Sequence, residues 1–236
     1  MKVLFIGNSQ TGVYDLPRMM EIMSQSALAD HPRIEIGRAI IGGKGLKGYW
    51  EAGEGKGTPR AMIAAAKWDY VVIQEIYRAN APEFEKYAEM FDESIGKNGS
   101  KTLLFATANV TRHYNASFHY PDSFKELNDM QIAFGQKRGI PVAAAGYAWM
   151  RYLGPNPPEA QLLDLYHKDK GHPGQKGTYI YACLLYACIT GLSPAGLTGE
   201  FKDIQDGIFI TKEEAAKMQK AAWEQYQESI HAKPGN

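Results

Sequence analysis

Cysteine is scarce, with two in 236 residues. Cys183 and Cys188 stand five apart in one predicted helix and point in different directions, so they are poor disulfide partners for each other. They are also not arranged as a structural zinc site. They neither require a reducing compartment nor suggest an oxidising one. An excess of charge of either sign is equally absent: 26 basic residues balance 26 acidic ones, which implies no strong attraction to nucleic acid. Long apolar runs are missing as well. Lys2 precedes only Val3-Leu4-Phe5-Ile6, too short for a signal peptide or a membrane span. A cytoplasmic location is expected if the chain is complete, and a periplasmic or secreted one if a signal was removed. Gly7-x-x-x-x-Gly12 follows a predicted strand but lacks both the G-x-G-x-x-G fingerprint and the Gly-Lys-Ser/Thr ending of a phosphate loop, so it supports a nucleotide site only weakly.

What remains is ordinary globular composition, 44% apolar and 22% charged, without repeats or low-complexity linkers. Residues 1–236 are expected to form a single domain. Strand-like segments at 2–6, 33–41, 70–73, 101–107 and 140–143 alternate with helix-like segments at 15–29, 59–67, 82–96 and 120–138. Further helices are expected after the interruption Gly154-Pro155-Asn156-Pro157-Pro158, from Pro173 to about Cys188, and over 212–231. Thr58-Pro59 reads as an N-cap followed by proline at N1, closing a stretch, 42–58, that holds seven glycines. Alternation of this kind implies a three-layer α/β/α fold around a mostly parallel five-stranded sheet.

Ligands of open α/β sheets bind at the carboxyl ends of the strands. Gly7-Asn8-Ser9 puts a hydroxyl at the end of the first strand. A serine is a weak nucleophile until a base lies within hydrogen-bond reach. The segment before the last core helix offers two Asp-x-x-His pairs, Asp164/His167 and Asp169/His172. Asp164 and His167 can belong to a short helix in which they interact locally. His172, between Gly171 and Pro173, stands in a loop at the sheet's rim, where Asp169 can fix its tautomer.

These residues resemble the SGNH/GDSL hydrolase superfamily, particularly small members that begin with a strand followed by Gly-Asn-Ser. The resemblance runs through Gly7-Asn8-Ser9, the glycines around Gly43, Val72-Ile73-Gln74-Glu75 and Asp169-x-x-His172-Pro173. It implies a flavodoxin-like architecture and a triad of Ser9, His172 and Asp169, selecting that pair over Asp164/His167. It also implies an oxyanion hole made by the N–H groups of Ser9 and Gly43 and a side-chain amide. The family's Gly-x-Asn-Asp third block is absent, so Gln74 is the leading amide, with Asn80 and Asn109 as alternatives. Gly42, Gly45 and Gly48 compete with Gly43. Asn8 is expected to position neighbouring blocks. Gln10, Tyr49, Trp50, Tyr77 and His167 are candidates for lining the pocket. The activity implied is hydrolysis of a carboxylic ester through an acyl-enzyme, carbohydrate O-acetyl esters included, on a small-molecule or carbohydrate substrate and with no cofactor or metal. Two alternatives stand beside it. One is a noncatalytic carbohydrate- or small-ligand-binding protein on the same fold. The other is a metal-dependent hydrolase using Asp164, His167, Asp169 and His172, or His113 with His119.

Overall fold

Strands β1 (Lys2–Gly7), β2 (Glu35–Ile40), β3 (Tyr70–Gln74), β4 (Lys101–Ala106) and β5 (Val142–Ala144) form one sheet in a computed structural model that describes residues 1–111, 113 and 115–231. The order is β2-β1-β3-β4-β5, and every neighbouring pair is parallel. The central strands are continuous apolar runs because both of their faces are covered. Side chains alternate between two cores: Val3, Phe5, Val72, Leu103 and Phe105 enter one, and Leu4, Ile6, Val71, Ile73 and Leu104 the other.

Helices α2 (Leu16–Ser26), α7 (Ala145–Leu153), α9 (Gln175–Thr190) and α10 (Lys212–His231) cover the first face. The second face is covered by α3 (Leu46–Glu51), α4 (Pro59–Ala65) and α5 (Ala81–Lys97). Helix α6 (Asp122–Arg138) gives Phe124 to the first core and Phe134 to the second. Two short helices, α1 (Ser9–Gly12) and α8 (Glu159–Leu163), lie in connections that prove important for the site. Among the described residues no helix is long and apolar enough to cross a membrane.

Several boundaries differ from the sequence reading for local reasons. The helix expected over 15–29 begins at Leu16, because Asp15 acts as its N-cap and accepts from Arg18 N. Helix α7 lies between the strand expected at 140–143 and the interruption that begins at Gly154, where no helix is expected. It follows β5 without any turn residue, and its start is held by Asn128, whose Oδ1 accepts from Gly146 N. A small antiparallel hairpin, β6 (Glu200–Phe201) with β7 (Ile208–Phe209), is too short to leave a periodic signal. Thr58 caps α4 and Pro59 opens it, while Gly139 ends α6 in the left-handed region, as their residue types predict.

Strand β1 lies between β2 and β3, so the chain's crossovers leave it in opposite directions. That reversal opens a crevice at the carboxyl ends of β1 and β3.

Candidate active site

Ser9 stands at this crevice. Asn8 is the N-cap of α1, and its Oδ1 accepts from Gln10 N at 2.8 Å. The N–H of Ser9, the first helical residue, has no intrahelical acceptor by the geometry of an α-helix. Asn8 also ties three segments together. Its backbone N–H donates to Gln74 Oε1 at 2.9 Å, and its Nδ2 donates to Lys44 O at 2.9 Å.

The second half of the site is the loop of residues 167–172. It is pinched shut by an antiparallel bridge between Tyr166 and Pro173, by His167 N donating to His172 O at 2.9 Å, and by Lys170 N donating to His167 O at 2.8 Å. Two neighbours anchor it. Gln10 Nε2 donates to Gly171 O at 2.8 Å, and Thr111 Oγ1 donates to Lys170 O at 2.6 Å. The result places His172 Nε2 2.8 Å from Ser9 Oγ, across 163 residues of chain, with His172 Nδ1 2.7 Å from Asp169 Oδ2. Asp169 Oδ1 accepts from the backbone N–H groups of Gly171 and His172 at 2.9 and 3.0 Å. Partial burial works to raise the carboxyl's pKa, but those two N–H groups and the imidazoles of His172 and His167 outweigh it and hold the group well below the usual carboxylate range. Asp169 is therefore a carboxylate at neutral pH.

The glycine turn between β2 and α3 faces the same crevice. Gly43 is exposed and has φ +68°, a conformation that glycine adopts without strain. Lys44 O next to it receives both Asn8 Nδ2 and the Tyr49 hydroxyl, the latter at 2.7 Å. Glu75, at the end of β3, is 4% exposed, and its Oε1 accepts from Leu46 N at 3.1 Å and Ile76 N at 2.6 Å. It thereby caps α3, whose own N-cap, Gly45, has no side chain to offer. A Cβ at residue 45 would stand 1.9 Å from that carboxylate oxygen. Burial raises the Glu75 carboxyl to about 7 in spite of the two N–H donors.

The expected third oxyanion donor is placed differently. Gln74 is fully buried; its Oε1 accepts from Asn8 N and Thr11 Oγ1, and its Nε2 donates to Glu75 O. Its amide thus braces the Ser9 turn from beneath instead of facing the crevice. Neither alternative takes its place. Asn80 Oδ1 caps α5 by accepting from Glu83 N, and Asn109 is buried, with Nδ2 donating to Ser123 O and Oδ1 accepting from Val110 N. Tyr49 is a core residue with no exposed surface, so it supports the glycine turn and does not wall a pocket. Trp50 packs edge-on against Phe91 and under the Arg60 guanidinium, and Tyr77 lies half-buried beside Arg78.

Asp164 and His167 do not form a pair with each other. Asp164 accepts from Lys176 Nζ at 2.7 Å, whereas His167 Nδ1 lies 3.2 Å from Asp169 Oδ2. Among the described residues no group of three or more His, Cys, Asp and Glu side chains is arranged to hold a metal ion. Both cysteines are free thiols on α9. The contributions of Thr111, Glu75 and Gln10 as ties between segments had no local signal, because each acts on a carbonyl or N–H that is distant in sequence.

Beside the loop of residues 167–172 lies a groove of about 660 Å³, lined by Thr111, Phe118, Tyr120, Asn156, Glu159 and Lys170 among others.

No family model matches the chain, and no curated protein matches it by sequence. Solved structures do match. A DUF4886 family protein from Bacteroides uniformis superposes with a TM-score of 0.69 at 19% identity, covering 95% of this chain and 93% of that one. A protein from Slackia heliotrinireducens assigned to the SGNH hydrolases gives 0.63 at 17% identity, covering 80% and 98%. An acetyl-xylooligosaccharide esterase from Geobacillus gives 0.61 at 15% identity, covering 80% and 93%. The likeness extends over most of the chain and shows its fold: a parallel five-stranded sheet between helical layers, the fold shared by SGNH/GDSL hydrolases.

Proposed function

We propose that the protein is a serine-dependent carboxylic ester hydrolase. The observation that carries this reading is the continuous path from Ser9 Oγ to His172 Nε2 at 2.8 Å, and from His172 Nδ1 to Asp169 Oδ2 at 2.7 Å. Asp169 keeps a proton on Nδ1, which leaves Nε2 to take the proton of Ser9 as its oxygen attacks the ester carbonyl. The tetrahedral oxyanion is met by the N–H groups of Ser9 and Gly43, each contributing on the order of 3 kcal/mol to the transition state when well aimed. Collapse of the intermediate breaks the carbon–oxygen bond to the alcohol, and His172 protonates the leaving oxygen. Water, deprotonated by His172, then attacks the acyl-enzyme; the bond between the acyl carbon and Ser9 Oγ breaks, and His172 returns the proton to Ser9 Oγ as the acid leaves.

With the Gln74 amide turned inward, the oxyanion hole of this reading has two backbone donors. The groove beside the loop supports a reading of the substrate class. Phe118 and Tyr120 line it together with Asn156, Glu159 and Lys170, a mixture of aromatic and polar residues that suits a hydroxylated, ring-bearing alcohol. An O-acetylated carbohydrate fits that chemistry, and the acetyl-xylooligosaccharide and acetyl xylan esterases among the structural neighbours act on such esters by name.

A fluorophosphonate probe tests the nucleophile. Wild-type protein is expected to be labelled stoichiometrically and Ser9→Ala not at all, with a parallel loss of acetyl-ester turnover. Absence of both labelling and turnover across varied acyl probes would point to a ligand-binding protein on a hydrolase fold.

A further inference from the structure

We propose that His167 is a positioning residue for the triad carboxylate, donating its Nδ1–H to Asp169 Oδ2 and so taking a share of the charge that orients His172. This inference rests on the serine-hydrolase reading above. Two imidazoles converge on one oxygen, His172 Nδ1 at 2.7 Å and His167 Nδ1 at 3.2 Å. The tautomer of His167 follows from its surroundings. An unprotonated Nδ1 would set a lone pair against a carboxylate oxygen, and the only compensation given by the loop would be the Asp169 N–H at 3.4 Å, a longer contact. A protonated Nδ1 donates to the carboxylate instead.

The ring is held in place by the fold. Its backbone is bonded to His172 O and to Lys170 N, and its ring meets that of Tyr14 in an edge-type contact, with ring centroids 5.9 Å apart. Tyr14 and Asp15 adopt φ values of 55° and 44°, a left-handed conformation that is uncommon for residues with a Cβ. Asp15 secures them by capping α2 and by pairing with Arg38 at 2.8 Å. Strain of this kind is maintained beside the site, and it delivers the Tyr14 ring to His167. The charged and titratable groups around His167 come from several elements: Lys168 and Asp169 of its own loop, Asp164 after α8, Lys176 of α9, Asp206 of the β6–β7 turn, and Tyr14. With the exception of Asp169 they line a hollow of about 340 Å³ together with the ring.

A carboxylate that serves two donors stabilises the His172 imidazolium less than one that serves a single donor. The test is the pH profile of kcat/KM on an accepted acetyl ester, together with the low-field proton resonance of His172 Nδ1–H. His167→Ala is expected to move the acid limb up by roughly half to one pH unit and to leave the plateau within about fivefold of wild type. His167→Asn puts an amide nitrogen where Nδ1 stood and is expected to restore both the limb and the resonance. His167→Gln fills the space of the ring without placing a donor at Oδ2, and it replaces the alanine variant if that variant does not fold. Coincident profiles and an unmoved resonance would overturn the proposal, as would failure of the asparagine to restore either. If wild-type Ser9 takes no fluorophosphonate, the hydrolase reading fails by itself, while the resonance still reports whether His167 acts on the Asp169–His172 pair.

Discussion

Asp169 receives two backbone N–H groups on one oxygen and two imidazoles on the other, and this crowding of donors determines what its removal should do. Asp169→Asn keeps the shape but allows the wrong His172 tautomer, so kcat should fall on the order of a thousandfold or more, as should follow from His172→Ala, which removes the base. Circular dichroism should show both variants folded, and turnover near wild type in either would exclude this triad. The carboxylate is also linked to stability. Its folded pKa is depressed, so its contribution is present above the unfolded value near 3.8 and is lost as pH falls through the lower folded value. Ser9, Asp169 and His172 could be picked out as candidates because serine after a strand and Asp-x-x-His before a helix are local patterns, and the structure brings the three side chains together. Gln74 was misjudged because its residue type offers a donor, but only the packed structure shows that donor facing Glu75 O.

At the scale of elements, the crevice depends on helix ends and strand ends that are capped from elsewhere in the chain. Glu75 joins the end of β3 to the start of α3, and its carboxyl titrates near 7 because burial disfavours the charged form. The folded state therefore binds this proton more tightly than the unfolded chain does. The stability it brings is fully present below about pH 4.5 and is lost as pH rises through about 7. Glu75→Gln keeps an oxygen for Leu46 N and Ile76 N but does not ionise. Its stability relative to wild type should grow between pH 5 and 8 by up to about 3 kcal/mol, read from urea unfolding midpoints at each pH. A difference that does not vary with pH would show that the carboxyl is not buried as described.

At the scale of the whole molecule, the site is attached to a core that the helices share. Trp149 of α7 is fully buried, stacks on Tyr181 at 5.1 Å, meets Tyr166 edge-on at 5.0 Å and donates to Gly177 O at 3.1 Å. It thus joins α7 to α9 and to the residue that precedes the His167 loop. Trp149→Ala should cost about 3–5 kcal/mol of unfolding free energy. Because Tyr166 borders the loop, a loss of the proposed ester-hydrolysing activity greater than the loss of folded protein is expected, measured as active-site titre against soluble folded fraction.

The sequence by itself determined the five strands of the sheet and most of the longer helices, though not α7, since continuous apolar runs and capping pairs such as Thr58-Pro59 act within a few residues. It also placed the hydroxyl at the end of β1 and the histidine in a loop before α9. Only the tertiary structure decided the rest: that Gln10 and Thr111 hold the loop of residues 167–172 against Ser9, that Gln74 turns inward, and that His167 leaves Asp164 to Lys176 and joins Asp169 instead. The reason is physical. A side chain's type sets what it can donate or accept, but its partner is whichever group the sheet order and helix packing bring within about 3 Å, and that group is often more than a hundred residues away.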